Sequence, residues 1–133
     1  MIALFIAALL APDRPDPCYA GGTAATVRPG CPHWQLIRQD ARGARSYDPA
    51  SASVSNGVVE VLTRTDSAVA SQGVFVVIAR MRLDCAARTF AVTHVSGYNR
   101  DGIRLADGAP TAAPRPVEPG HDAAALLAVL CAQ

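Results

Sequence analysis

Val74-Phe75-Val76-Val77-Ile78-Ala79-Arg80-Met81-Arg82-Leu83-Asp84-Cys85 decides the fold. Its opening residues, Val74 to Ile78, are apolar without a break. A strand built from them needs cover on both faces, as a central strand does. The second half then switches to a period of two. Ala79, Met81, Leu83 and Cys85 fall on one face, and Arg80, Arg82 and Asp84 on the other. One face of this end is packed and the other is wet.

The flanking segments supply partners for this strand. Arg88 to Ser96 follows after a short turn and pairs back. Ser51 to Ser55 and Val58 to Thr65 flank Asn56-Gly57, a type I′ hairpin signal because both central positions need positive φ. Trp34 to Arg38 reads as a first strand, and Asn99-Arg100-Asp101-Gly102 as a turn. Residues 106–120 carry Pro110, Pro114, Pro116 and Pro119, which exclude helix and central strand and leave an extended path. From Asp122 the chain reads as one helix. Pro119 and Gly120 break what precedes it, and Asp122 serves as N-cap or as a first-turn charge facing the helix dipole. Leu126, Leu127, Leu130 and Cys131 fall on one helical face. The predicted class is α+β: an antiparallel β-sheet with a C-terminal helix packed on one face, braced by disulfides.

The bracing comes from Cys18, Cys31, Cys85 and Cys131, which sequence alone can join in three ways. Cys18 and Cys31 bracket a stretch rich in Pro and Gly. Cys85 ends the main strand on its apolar side, and Cys131 lies on the apolar face of the helix. The layout therefore favours Cys18–Cys31 and Cys85–Cys131. An even set of cysteines in a short chain indicates an oxidising compartment. The opening Ile2-Ala3-Leu4-Phe5-Ile6-Ala7-Ala8-Leu9-Leu10-Ala11 agrees, since an apolar run of this length suits a secretory h-region, although no basic residue precedes it. It is too short to span a hydrocarbon core of about 30 Å. The expected organisation is a signal-peptide-like segment over 1–11, a disulfide loop over 12–33 and a single domain over 34–133. The expected location is exported, periplasmic or at the cell surface.

Half of the residues are apolar but only 5% are aromatic, so Val, Leu, Ile and Ala must build the core. All 12 basic residues are Arg, and the net charge of +1 provides no field to steer nucleic acid or a membrane surface. Catalytic and metal signals are thin. Cys18, Cys31 and His33 do not have zinc-knuckle spacing, and oxidised cysteines cannot ligate zinc. His94 is expected on one strand face with Phe90 and Val92, as a core or edge histidine, and His121 in solvent. No Gly-x-Ser-x-Gly occurs. Glu60 and Glu118 are the only glutamates, which excludes a paired-glutamate acid/base site. No Gly-rich phosphate loop follows a strand. Asn99, Asp101 and Asp107 lack the ligand density of a calcium loop. No cofactor is expected.

Several marks in this order resemble the bacterial surface-adhesin E family of small exported domains. Trp34 opens the first strand, and Tyr47-Asp48-Pro49-Ala50-Ser51 precedes the first hairpin. Asp84-Cys85 ends a strand, Tyr98 and Gly102 follow the next, and Pro119-Gly120 precedes a helix ending in Cys131. The resemblance covers roughly residues 34–131. It implies an antiparallel sheet packed by a C-terminal helix, an envelope location and, for the named member, binding of host extracellular proteins. Pro15-Asp16-Pro17 before Cys18 is not a lipobox, and the Cys18–Cys31 loop lies outside the resemblance.

The functional expectation is a non-enzymatic envelope or surface binding domain whose partner is a protein or an acidic polymer. The alternatives are a small secreted inhibitor, using a loop such as residues 19–30, and a structural accessory of the envelope. Arg80 and Arg82, two apart on the wet face of the main strand, are the expected contact, with Arg88 beside them. Guanidinium forks match carboxylates, sulfates and phosphates. Asp84 is positioned to neutralise that pair in a purely solubilising face.

Overall fold

The computed structural model describes residues 14–132. The apolar segment 1–11 and the export reading attached to it lie outside the described residues. Seven strands form one antiparallel sheet: β1 (Gln35–Asp40), β2 (Gly43–Ser55), β3 (Val58–Ser71), β4 (Val74–Asp84), β5 (Thr89–Tyr98), β6 (Arg104–Gly108) and β7 (Arg115–Pro116). Their order is that of the sequence from β1 to β6, and β7 joins the outer edge of β5 beyond β6. One helix, α1 (Asp122–Leu130), closes the chain.

The predicted elements are present. Asn56 and Gly57 take φ of 52° and 76°, the left-handed values a type I′ turn needs, and Val58 pairs with Ser55 across them. The strands on either side run longer than the apolar pattern indicated. β2 starts at Gly43, because the Tyr47-Asp48-Pro49-Ala50-Ser51 stretch breaks the ladder without ending the strand. Pairing stops after Asp48–Leu62 and resumes at Ser53–Glu60. The Leu62 N–H donates to Ser51 Oγ at 2.9 Å, and the Asp48 carboxylate accepts the Ala50 N–H at 3.0 Å. Side-chain oxygens thus replace the missing ladder partners. The Pro-rich stretch is extended, as expected, and its two short strands lie only at the sheet edge, where a missing N–H costs nothing.

A core lies on each face of the sheet. On the first face, α1 buries Leu126, Leu127 and Leu130 against Tyr47, Val59, Val61 and Leu83. Val61 and Leu83 have no exposed surface, and the Met81 side of β4 faces this cluster, as the alternation requires. Asp122 is the first-turn charge rather than the cap; His121 takes the cap position without a side-chain bond. Asp122 also lies 3.4 Å from both Arg38 and Arg45, which fixes the start of the helix over β1 and β2. A register shift at Ile37 makes this possible: Ile37 packs on the helix-side cluster and Arg38 still reaches Asp122.

The disulfide loop covers the second face. Tyr19, Val76 and Ile78 are buried there, with Cys18, Trp34, Leu62, Phe75 and Tyr98 packed around them. The Tyr19 and Tyr98 rings stand 4.5 Å apart between centroids. Arg64, 2% exposed, makes a forked contact with Asp66: Nη2 to Oδ1 at 2.8 Å and Nε to Oδ2 at 3.0 Å. Its guanidinium lies 5.8 Å from the Tyr19 ring centre and 5.9 Å from that of Trp34. Gly102 lets the loop dock. Its φ is +79°, its carbonyl accepts the Asp16 N–H at 2.9 Å, and a Cβ there would fall 2.5 Å from the Asp16 carbonyl oxygen.

Both disulfides form as the layout favours, Cys18–Cys31 across 13 residues and Cys85–Cys131 across 46. Loop-closure entropy assigns about 3 kcal/mol to the shorter and about 4 kcal/mol to the longer. Replacing Cys85 and Cys131 together by Ser will therefore lower the melting temperature more than replacing Cys18 and Cys31, read by thermal unfolding without reductant. The reverse order would place the main brace on the loop. A second expectation concerns alkali. Burial pushes the Tyr19 phenol up from 10.0 to about 12. A raised folded pKa means its contribution is whole below pH 10 and is lost as pH climbs toward 12. Denaturant melts between pH 9 and 12 will show this fall, and Tyr19→Phe will flatten it.

Candidate functional site

The open half of the second face is the candidate binding surface. β4 carries Val76, Ile78, Arg80 and Arg82 along this face in steps of two. The loop covers Val76 and Ile78, whereas Arg80 and Arg82 are exposed. The neighbouring strands present defined partners. Arg80 stands opposite Leu62 on β3 and His94 on β5; Arg82 stands opposite Glu60 and Ala91. Neither guanidinium makes an ion pair among the described residues. Asp84 does not neutralise them: its carboxylate accepts the Ala87 N–H at 3.0 Å and shapes the β4–β5 turn. Arg88 is exposed in that same turn at φ 54°, beyond the terminal Asp84–Thr89 pair, so it stands outside the row of Arg80 and Arg82.

His94 departs from expectation. A register shift leaves Thr93 without a cross-strand partner, since Arg80 pairs with His94 and Met81 with Val92. Phe90 and Val92 therefore keep to the helix face, while His94 moves to the opposite face and is exposed. There its Nε2 lies 2.7 Å from Asp107 Oδ1, and Ser96 Oγ donates to the same oxygen at 2.6 Å. Those two hydrogen bonds, Ser96 first and His94 second, hold the Asp107 carboxyl below its usual range. Arg104 adds a long contact at 3.9 Å. The serine donates to the carboxylate and not to the histidine, so this trio lacks the serine-to-histidine hydrogen bond of an activated nucleophile. Sequence reading missed the cluster because nothing in Phe90-Ala91-Val92-Thr93-His94 marks the bulge.

The remaining candidates separate. His33 is exposed beside Trp34, and His121 lies 3.6 Å from Glu118 at the surface. Asn99 folds its own turn, its side-chain oxygen accepting the N–H groups of Asp101 and Ile103 at 3.0 and 2.9 Å. Among the described residues no three His, Cys, Asp or Glu side chains gather as metal ligands. Among them, too, no helix is long and apolar enough to cross a membrane.

Two hollows lie where the disulfide loop meets the sheet. The larger, of about 360 Å³, is lined by Thr23 from the loop, Trp34 and Leu36 at β1, and Asp66 and Ser67 of β3. Sequence reading had no access to it, because its walls come from segments far apart in the chain. The uniqueness of Trp34 in the sequence was the one available signal.

Comparison with known proteins follows this anatomy. The model of the family described as surface-adhesin protein E matches residues 34–132. No curated protein and no solved structure matches the chain. The matched span runs from Trp34 to beyond the end of α1 and takes in the whole sheet. Within it, the marks first noticed as a series have structural duties: Ser51 repairs the β2–β3 ladder, Asp84 shapes a turn, Gly102 admits the loop, and Cys131 ties the helix to Cys85. With well over half of its residues matched in one continuous stretch, the chain belongs to the surface-adhesin protein E family.

Proposed function

We propose that the protein is a non-enzymatic binding domain that acts after export, in the envelope or at the cell surface. Its contact is the polar face of β4, and its partner is an acidic protein surface or an acidic polymer. One observation carries this reading. Arg80 and Arg82 project from the face opposite α1, exposed and without an ion pair among the described residues. Arg38, Arg45 and Arg64, by contrast, are each paired with a carboxylate. Two exposed guanidinium groups on one strand face, with no ion pair among the described residues, match carboxylate, sulfate or phosphate through forked hydrogen bonds. Glu60, opposite Arg82, and Asp107, next to His94, limit the patch, so the contact is a small charged footprint. Family membership agrees with a binding role.

Crosslinking pull-down from intact cells with the tagged protein identifies the partner, and binding of that partner is then compared between wild type and Arg80→Ala/Arg82→Ala. Neither core uses these side chains, so the double variant will fold and melt as wild type does. It will bind more weakly at low salt, and its affinity will change less as salt rises, because fewer screened contacts remain. Equal affinity with an equal salt slope would remove this face from the contact.

A further inference from the structure

The corner of the sheet beyond the start of α1 holds a separate hollow, of about 160 Å³. Its walls are Arg38, Asp40, Arg42 and Arg45 of the β1–β2 hairpin and Thr65 and Ser67 of β3. The register brings them together. Arg38 pairs with Arg45 and Arg45 with Thr65; Asp40 pairs with Gly43 and Gly43 with Ser67. Residues directly paired across a ladder share a face. Arg45 stands two residues before Tyr47, which is buried beneath α1, so this is the helix face. Arg80 and Arg82 project from the other face, and the two sites are independent.

Positive charge is concentrated here and only partly answered. The chain as a whole has a net charge of +1, yet three arginines line this one hollow. Arg38 and Arg45 stand directly opposite each other, an arrangement of like charges that destabilises a sheet. Asp122 lies 3.4 Å from Arg38 Nε and 3.4 Å from Arg45 Nη1, and Asp40 lies 3.8 Å from Arg38 Nε. These contacts are longer than the roughly 2.7–3.2 Å of a hydrogen bond, so both guanidinium groups keep N–H donors to offer. The Arg42 backbone N–H donates to Asp40 Oδ1 at 2.8 Å, and its side chain makes no ion pair among the described residues. Asp66 also borders the hollow, but its carboxylate is bonded to Arg64. Three guanidinium groups thus meet two carboxylates, Asp40 and Asp122. The Thr65 and Ser67 hydroxyls, half-buried in the wall, make no hydrogen bond among the described residues.

The walls select the occupant by charge, size and shape. Unused donors outnumber acceptors and the charge is positive, so the occupant is an anion. The hollow is smaller than the roughly 300–1,000 Å³ of a drug-sized ligand's site, so the anionic group is compact. A carboxylate presents two oxygens in one plane and is served by a single guanidinium fork. Three guanidinium groups from two strands and their turn, with two hydroxyls from a third strand, suit an anion whose oxygens point in several directions. A tetrahedral oxyanion has four such oxygens. We propose that this hollow binds one phosphate or sulfate group, held by Arg38, Arg42 and Arg45, with Thr65 and Ser67 donating their hydroxyls.

The full chain is titrated with sodium phosphate, sodium sulfate and glycerol 3-phosphate, and with sodium acetate as the planar control, at an ionic strength held constant with chloride. Calorimetry reads the affinity, and the arginine Nε–Hε resonances read the place. The expected result is saturable binding of phosphate and sulfate, about tenfold or more tighter than acetate, with shifts at Arg38, Arg42 and Arg45. Arg42→Gln, at an exposed turn position outside both cores, should weaken it about fivefold or more. Arg80→Ala/Arg82→Ala should leave it unchanged. Glycerol 3-phosphate separates the two sources of such a group. Binding as tight as that of phosphate shows that the site admits a phosphate carried on a larger molecule, and weaker binding confines it to the free ion; either upholds the proposal. No saturable binding overturns it, as does acetate binding as tightly as phosphate, or wild-type affinity in Arg42→Gln. Loss of binding in Arg80→Ala/Arg82→Ala also overturns it, and assigns the anion to the other face with the acidic-partner reading left standing. If Arg42→Gln fails to fold, the Nε–Hε shifts of the wild-type chain decide.

Discussion

The Arg64 guanidinium governs the half of the molecule that the helix does not reach. A charge 2% exposed in so small a domain survives only if it is paired and shielded. Asp66, two residues along the same strand, supplies the pairing through three short N–O contacts. Tyr19 and Trp34 supply the shielding. One of these rings comes from the disulfide loop and the other from the segment leading into β1. Arg64 therefore makes the sheet and the loop mutually dependent. Without the loop, the ion pair would be wet and Val76 and Ile78 exposed. Without Arg64, the rings would lie over an unpaired Asp66. The packing is tight enough that the hydroxyl of Ser46, directly across the ladder from Arg64, is buried without a partner among the described residues. An unsatisfied hydroxyl of that kind costs about 1–3 kcal/mol, which the burial around it must offset.

The sheet thus has two covers of different chemistry, each stapled once. The helix cover is apolar and needs only a stripe of leucines, a charge at its start and the Cys85–Cys131 bond. The loop cover has no regular structure to bury. It relies on aromatic rings, on Arg64 and on backbone bonds to the β5–β6 turn, where Asp16 and Gly21 donate to Gly102 and Arg100. An irregular segment with that little apolar surface cannot bury enough to order itself. The Cys18–Cys31 bond removes part of the conformational entropy it would otherwise lose. The two staples are consequently not interchangeable: one holds an element that already has a core, and the other makes an ordered cover from a loop.

What was legible in the sequence follows the same division. The helix face, β4, the Asn56-Gly57 hairpin and both disulfides depend on short-range pattern or on placement along the chain, and these are visible in one dimension. The second core was half visible. Val74 to Ile78 required cover on both faces, but a buried Arg, two tyrosines and a tryptophan carry no period that names the cover. β6 was missed because all its residues are exposed at an edge, so no alternation marks it. His94 was misplaced because one bulge residue, Thr93, reverses the face of everything after it while leaving the apolar pattern intact. The exposure of Arg80 and Arg82 needed only the period of a strand. The cavity beside Trp34 needed the loop, β1 and β3 to converge.

β4 also explains why stability and the proposed binding are separable in this fold. Its residues on the second face run Val76, Ile78, Arg80, Arg82, about 7 Å apart at the rise of a strand. Between Ile78 and Arg80 the strand passes from the loop-covered core to solvent. The first two residues hold the tyrosine and tryptophan cluster in place, and the last two contribute to neither core. A change at Arg80 or Arg82 alters only the charge on a face already in water. A change at Ile78 loosens the bed on which Tyr19 and Arg64 rest, and with it the packing of Trp34. On the helix face, Val59, Val61, Met81 and Leu83 pack in the cluster beneath α1, so a change at any of them reaches the first core. The contact proposed for Arg80 and Arg82 therefore falls on the side opposite the helix, where these side chains contribute to neither core.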